Sequence, residues 1–137
     1  MKKTIVLAVV AVGALAVLWP SYLQAQTVES VPPVVVKTVP EAGSTNTAPG
    51  EMEIKVTFSK EMMDGAWSWA NAWGNSTPEG NTRPRYSSDH KTCILKAKLE
   101  PGRTYGFWLN SEKFHNFKDK QGRAAVPYLL VFKVKDS

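Results

Sequence analysis

An all-β sandwich is the fold class this sequence predicts, on three observations. Short stretches of apolar–polar alternation recur along the chain, and clusters of Gly, Pro, Asn and Thr separate them. No segment of useful length carries helical periodicity. The chain has 137 residues, which is room for one ordinary domain. A barrel is the alternative, but six or seven short strands in this length suit a sandwich better.

The first residues stand apart from that pattern. MKK supplies two positive charges, and Thr4 to Leu18 is an almost uninterrupted apolar run, ended by Trp19-Pro20 and the segment SYLQAQ. Basic start, apolar middle and small exit residue are the layout of a secretory signal peptide, with cleavage expected after Ala25. A retained anchor would want about 20 apolar residues, more than this run supplies before its proline. Residues 1–25 are therefore read as a signal peptide that meets the membrane only transiently. The mature protein is expected in the periplasm, outside the cell or at its surface.

Residues 26–33 (QTVESVPP) read as a flexible leader, and residues 34–137 as the domain. Val34 to Val39 is β-branched and ends at Pro40. Met52 to Phe58 alternates, with Ile54, Val56 and Phe58 on one face and Glu53, Lys55 and Thr57 on the other. Ala66 to Ala70 also has period two. Asn71 to Pro84 is rich in turn residues and reads as loop, followed by a short strand near Arg85-Tyr86-Ser87. Thr92 to Leu99 places Cys93, Leu95, Ala97 and Leu99 together. Thr104 to Asn110 does the same for Tyr105, Phe107 and Leu109, and Tyr128 to Val134 for Tyr128, Leu130, Phe132 and Val134. Ser59 to Asp64 and Glu112 to Lys118 could each hold a helical turn. Lys96, Lys98, Lys133 and Lys135 are expected on solvated faces, guarding edge strands.

Charge and cysteine content narrow the function. Without Lys2 and Lys3 the mature chain carries fifteen basic and twelve acidic residues, scattered without a run, so no nucleic-acid partner is expected. One cysteine allows no intramolecular disulfide.

Leu99-Glu100-Pro101-Gly102-Arg103-Thr104-Tyr105 is a turn that feeds a strand with an early tyrosine. In immunoglobulin-like sandwiches such a tyrosine bonds back across the corner through its hydroxyl. Other signposts keep the same order. Pro40 to Asn46 reads P-x-x-G-x-T-N, Ile54 to Met62 reads I-x-V-x-F-S-x-x-M, Leu99 to Tyr105 reads L-x-P-G-x-x-Y, and Asp119 to Gly122 reads D-x-x-G before a closing strand with Phe132. Over residues 32 to 135 the chain resembles the SbsA-type bacterial Ig-like domain. The resemblance implies an Ig-like sandwich of about seven strands in an exported or surface protein, as a non-catalytic module.

The family pattern fixes no tryptophan cluster, yet Asp64 to Asn75 reads DGAWSWANAWGN. Trp67 and Trp69 share a face if the segment is a strand. Burying both would cover ~300–500 Å², worth roughly 8–12 kcal/mol of transfer free energy before entropy costs. Both are expected in the core, with Tyr105 and Phe132. Trp73 lies at the mouth of the loop, and Trp108 faces away from Tyr105. With Arg85 and Tyr86 they form a candidate ligand patch, whose alternative is that the loop folds back over Trp108.

Catalysis finds no footing. Cys93 shares its face with Leu95 and Leu99 and is expected to be buried and inert, while His90 and His115 read as loop residues. Asp119 offers a single carboxylate beside a turn glycine, too few oxygens for calcium, and reads as a turn cap. No metal and no cofactor are expected. The function expected is that of an exported, non-catalytic module that binds a protein partner or serves as a scaffold. The alternative is a carbohydrate-binding module that takes a cell-surface polymer on Trp73, Trp108, Tyr86 and Arg85.

Overall fold

The computed structural model describes residues 25–80 and 82–137, so the predicted signal segment lies outside the described residues apart from Ala25 at its expected cleavage point. Seven strands form: β1 (Val35–Val39), β2 (Gly50–Phe58), β3 (Trp69–Asn71), β4 (Arg85–Tyr86), β5 (Thr92–Leu99), β6 (Thr104–Leu109) and β7 (Tyr128–Lys133). They make a four-stranded sheet in the order β1-β2-β5-β4 and a three-stranded sheet in the order β3-β6-β7. Every pairing is antiparallel, and the four-plus-three division is that of an Ig-like sandwich.

The alternation seen in the sequence decides which side of each strand is buried. Ile54 pairs with Leu95 and Val56 with Cys93 across β2 and β5, and this face carries core residues. On the other face Glu53 stands opposite Lys96 and Glu51 opposite Lys98, an opposite-charge arrangement that favours this register. β4 covers β5 only at Cys93 and Ile94, so Lys96 and Lys98 stand where the far side of β5 is open and meet glutamates of β2 across the other.

Aromatic rings tie the two sheets together. Tyr105 and Phe132 lie 5.9 Å apart, Phe107 and Phe132 6.5 Å, Trp69 and Phe107 5.5 Å, Trp69 and Phe117 5.8 Å, and Phe58 and Phe117 5.0 Å. This line of contacts joins Tyr105 to Phe58 and includes rings from both sheets. The Tyr105 hydroxyl accepts a hydrogen bond from the Glu100 amide at 2.9 Å, the corner expected of an early tyrosine in this strand. Gly102 allows the turn before it, with φ of 75°.

Three expectations are corrected. Neither suggested helical turn forms. Ser59 to Asp64 bends across with a single bridge at Met62, the Met62 amide on the His90 carbonyl and the Met63 amide on the Lys118 carbonyl, and Met62 is fully buried. In Glu112 to Lys118, Phe117 is pulled into the core, and its amide is held by Asn110 Oδ1. The leader over 26–33 is tied to the sandwich: Lys60 Nζ donates to the Glu29 and Val31 carbonyls, Arg123 donates to the Glu29 carbonyl, and Pro33 is buried.

That anchoring centres on an ion pair. Lys60 Nζ lies 2.8 Å from Asp119 Oδ2, with the two side chains 8% and 0% exposed. The Asp119 Oδ1 accepts from the Gln121 and Arg123 amides, so it also caps its turn as expected. Burial alone would raise the Asp119 carboxyl. The Lys60 ammonium and the two amides outweigh that effect and hold it below the ordinary carboxylate range.

Two predictions follow from this packing. Tyr105→Phe leaves the Glu100 amide without its partner and is expected to cost about 1–3 kcal/mol in urea unfolding; an unchanged midpoint would refute the corner's role. Because the folded Asp119 pKa is depressed, its contribution to stability is full above the unfolded value near ~3.9 and is lost as pH falls through the lower folded value. Asp119→Asn is expected to cost about 3–5 kcal/mol at neutral pH, since it strands the Lys60 charge, and to flatten the stability–pH curve below about pH 4. Equal acid slopes in variant and parent would show that other carboxylates govern the acid limb.

Candidate functional site

β6 alternates inward Tyr105, Phe107 and Leu109 with outward Gly106 and Trp108. The register puts Trp108 between Ala70 of β3 and Leu129 of β7, and Gly106 opposite Val131. Gly106 has no side chain to fill its place on that outer face. Trp73 fills it: a Cβ built on Gly106 would meet the Trp73 ring at a distance no real contact shows, and Ala72 Cβ at 3.1 Å. An aromatic ring laid over a strand glycine restores the packing the glycine lacks.

The chain after β3 is folded so as to deliver that ring. The Ser76 hydroxyl donates to the Gly106 carbonyl at 2.7 Å and accepts from the Ala72 and Trp73 amides at 2.8 and 3.2 Å. The Gly106 amide in turn donates to the Ser76 carbonyl at 2.8 Å. Asn71 Oδ1 accepts from the Thr77 amide and hydroxyl at 3.0 and 2.9 Å. Ser76 is fully buried, although nothing in its loop-like surroundings in the sequence marks it.

The outer face of the three-stranded sheet thus presents Trp73, 46% exposed, half-buried Trp108 and Leu129, 43% exposed, beside Ala70 and Val131. Trp73 and Trp108 are brought to one surface, as the candidate patch requires. Arg85 and Tyr86 are not. They belong to the other sheet, where Arg85 faces outward and pairs with Glu53 at 2.8 Å, its hydrogen bond holding the Glu53 carboxyl low. Tyr86 turns inward, and its hydroxyl donates to the Ala66 carbonyl at 2.6 Å. Burial raises the Tyr86 pKa, with Cys93 and Asp64 adding to the effect. The expected four-residue patch is therefore two residues on one sheet and two separate sites on the other.

Trp67 and Trp69 both pack on the core cluster, and both keep an accessible side. That side faces a cleft of about 530 Å³ between β3 and β5, with Phe107 and Leu95 in its wall and Thr77, Pro78, Gly80, Thr82 and Pro84 along it. Trp67 also lies 6.4 Å from the Tyr86 ring, and the Arg83 guanidinium sits 5.4 Å from its own ring.

The remaining reactive groups are quiet. Cys93 is fully buried, and burial pushes its thiol up to about 12, so the thiolate that nucleophilic chemistry needs is not populated. His90 packs on Tyr86 at 6.4 Å, and His115 is exposed. Among the described residues no group of three or more His, Cys, Asp or Glu is placed to hold a metal. Buried Lys60 and Asn110 escaped sequence reasoning. Asn110 donates to the Phe117 and Ala125 carbonyls and accepts from the Phe117 amide. Its φ of 62° is a conformation asparagine tolerates, but the sequence shows only a polar residue at a strand end.

A family model described as the bacterial Ig-like domain matches residues 29–134. Among solved structures, the S-layer protein rSbsC has a similar fold, with a TM-score of 0.51 at 18% identity over 80% of this chain. The chain spans 14% of that protein's length. No curated protein is significantly similar in sequence.

Gly106→Ala is the sharpest test of the Trp73 seat. The added methyl must lift the ring, and overpacking of this kind is expected to cost about 1–3 kcal/mol. Tryptophan emission should shift to the red and become more readily quenched by acrylamide. No spectral change would mean that Trp73 does not rest on Gly106 in solution.

Proposed function

The chain belongs to the bacterial Ig-like domain family, and on that basis we propose that it is an exported, non-catalytic module of the cell envelope. Within the family it is of the SbsA type, on the ordered motifs from Pro40 to Gly122. It works by docking on a protein partner or by serving as a scaffold. The observation that carries this reading is the outer face of the β3-β6-β7 sheet. Trp73, Trp108 and Leu129 leave apolar surface on a domain whose core is otherwise well buried, and an apolar face rimmed by polar residues is what a protein partner covers. The basic-apolar start of the chain supports export. The fold shared with an S-layer protein suits an envelope role.

Cell fractionation tests the proposal. The full chain is expected to leave the cytoplasm and co-sediment with envelope material. Trp108→Glu, which puts a charge in the middle of the face, should release most of it to the soluble fraction while circular dichroism and melting temperature stay unchanged. A folded variant that still co-sediments like the parent would rule the face out. A parent protein that remains cytoplasmic would rule out the envelope reading altogether.

A further inference from the structure

The cleft between β3 and β5 exists because the sandwich is incomplete along that side. β4 pairs with β5 through Arg85 and Tyr86 alone, and β3 has three residues, so from Leu95 onward β5 is paired with β2 on one side and has no strand on the other. A complete strand there would cover the inward residues. Instead Trp67 and Trp69 keep an accessible side, buried Phe107 closes the wall behind them, and half-exposed Phe114 forms a further wall. The volume of about 530 Å³ falls in the ~300–1,000 Å³ range of small-ligand sites.

The polar groups of the cleft are of one kind. The Ser68 hydroxyl, in a residue 7% exposed, accepts from the Asn116 amide and has no acceptor for its own proton among the described residues. Asn71 uses its Oδ1 on Thr77, which leaves its NH2 group without a partner among the described residues. Asn116 adds a second exposed carboxamide. Among the described residues no carboxylate lines the cleft. Lys96, its one ionisable lining residue, points its side chain to the outer face opposite Glu53 and enters through its backbone. A ligand held here needs a flat apolar face for the indoles and oxygens for uncharged donors, and a cation would find no counter-charge.

We propose that this cleft binds a neutral saccharide, with its ring faces on Trp67 and Trp69 and its hydroxyls on Ser68, Asn71 and Asn116. The site binds without cleaving, since glycoside hydrolysis calls for a pair of carboxylates and the lining has none. Trp67 is set in advance by Tyr86 and Arg83, which lowers the ordering cost of binding. An added peptide strand is less well served, because the Lys96 carbonyl that would receive it is already taken by the Thr82 hydroxyl. This site is separate from the Trp73–Trp108 face and does not depend on it.

The test is a titration of the folded domain with soluble neutral di- to tetrasaccharides, followed by the indole N–H signals in two-dimensional NMR. The expected result is saturable movement of the Trp67 and Trp69 signals, with Trp73 and Trp108 unmoved. Phe114→Ala and Asn116→Ala are expected to weaken binding by about tenfold each without unfolding the protein. Phe114 is an exposed residue, so its loss leaves the core intact. Trp108→Glu should bind saccharide normally, so that failure of the sheet-face reading and failure of this one can be told apart. The proposal is overturned if no saccharide in the panel moves these signals. It is equally overturned if the shifts map to Trp73 and Trp108, or if the cleft responds to extended apolar peptides and not to sugars.

Discussion

Lys60 and Asp119 form the contact on which the arrangement of this chain depends most. Both charges are out of water at 2.8 Å, and their other bonding positions are filled by backbone: Glu29 and Val31 carbonyls on the ammonium, Gln121 and Arg123 amides on the carboxylate. A buried pair stabilises only when its remaining lone pairs and protons are satisfied, and here they are. The pair joins three stretches far apart in sequence: the leader, the exit of β2 and the turn before β7. Arg123 reinforces it by reaching both Asp119 and the Glu29 carbonyl. Three backbone segments are therefore positioned by one charge pair, and Ser59, Met62 and Asp119 meet around it. Ser59 exchanges bonds with Val34, and Met62 pairs with Asp119.

Among the described residues the other side of the sandwich holds no such buried pair, and aromatic packing takes over. β3 and β4 are too short to supply the cross-strand bonds that hold β2 on β5. What keeps β3 in place is Trp69, wedged between Phe107 and Phe117, together with the Ser76–Gly106 exchange that extends the pairing past Asn71. The same shortness leaves surface uncovered on both sides of β3, with Trp73 and Trp108 outside and the cleft over Trp67 inside. Both candidate sites follow from one fact of topology, that the β3–β4 side of the domain carries loop where a fuller sandwich carries strand.

Sequence patterning made most of the sandwich legible. β5 has the bounds the alternation predicts, and the buried faces of β2, β5, β6 and β7 match it as well. Period two is visible wherever one face is packed and the other wet. What could not be read was whatever depends on a distant partner. Lys60 looks like any surface lysine until Asp119 is placed beside it. Phe117 sits in a polar stretch and reveals nothing of its burial. Gly106 is explained only by Trp73, 33 positions earlier in the chain. The candidate patch failed in part for the same reason. Alternation placed Trp108 outward correctly, but whether Arg85 and Tyr86 share its sheet is a question of strand order, on which local spacing is silent.

The two halves of the domain therefore answer to different demands. At the Lys60–Asp119 pole the charged pair spends its hydrogen bonds on the Glu29 and Val31 carbonyls and the Gln121 and Arg123 amides, which leaves little for a ligand. The tryptophan-rich segment lies at the other pole. It holds half-exposed aromatic rings and unsatisfied neutral donors on a backbone that Ser76, Asn71 and Gly106 have already fixed. Recognition needs groups that are held in place yet not consumed by folding. In this chain the groups that meet both conditions lie beside β3, which is why both proposed sites fall there.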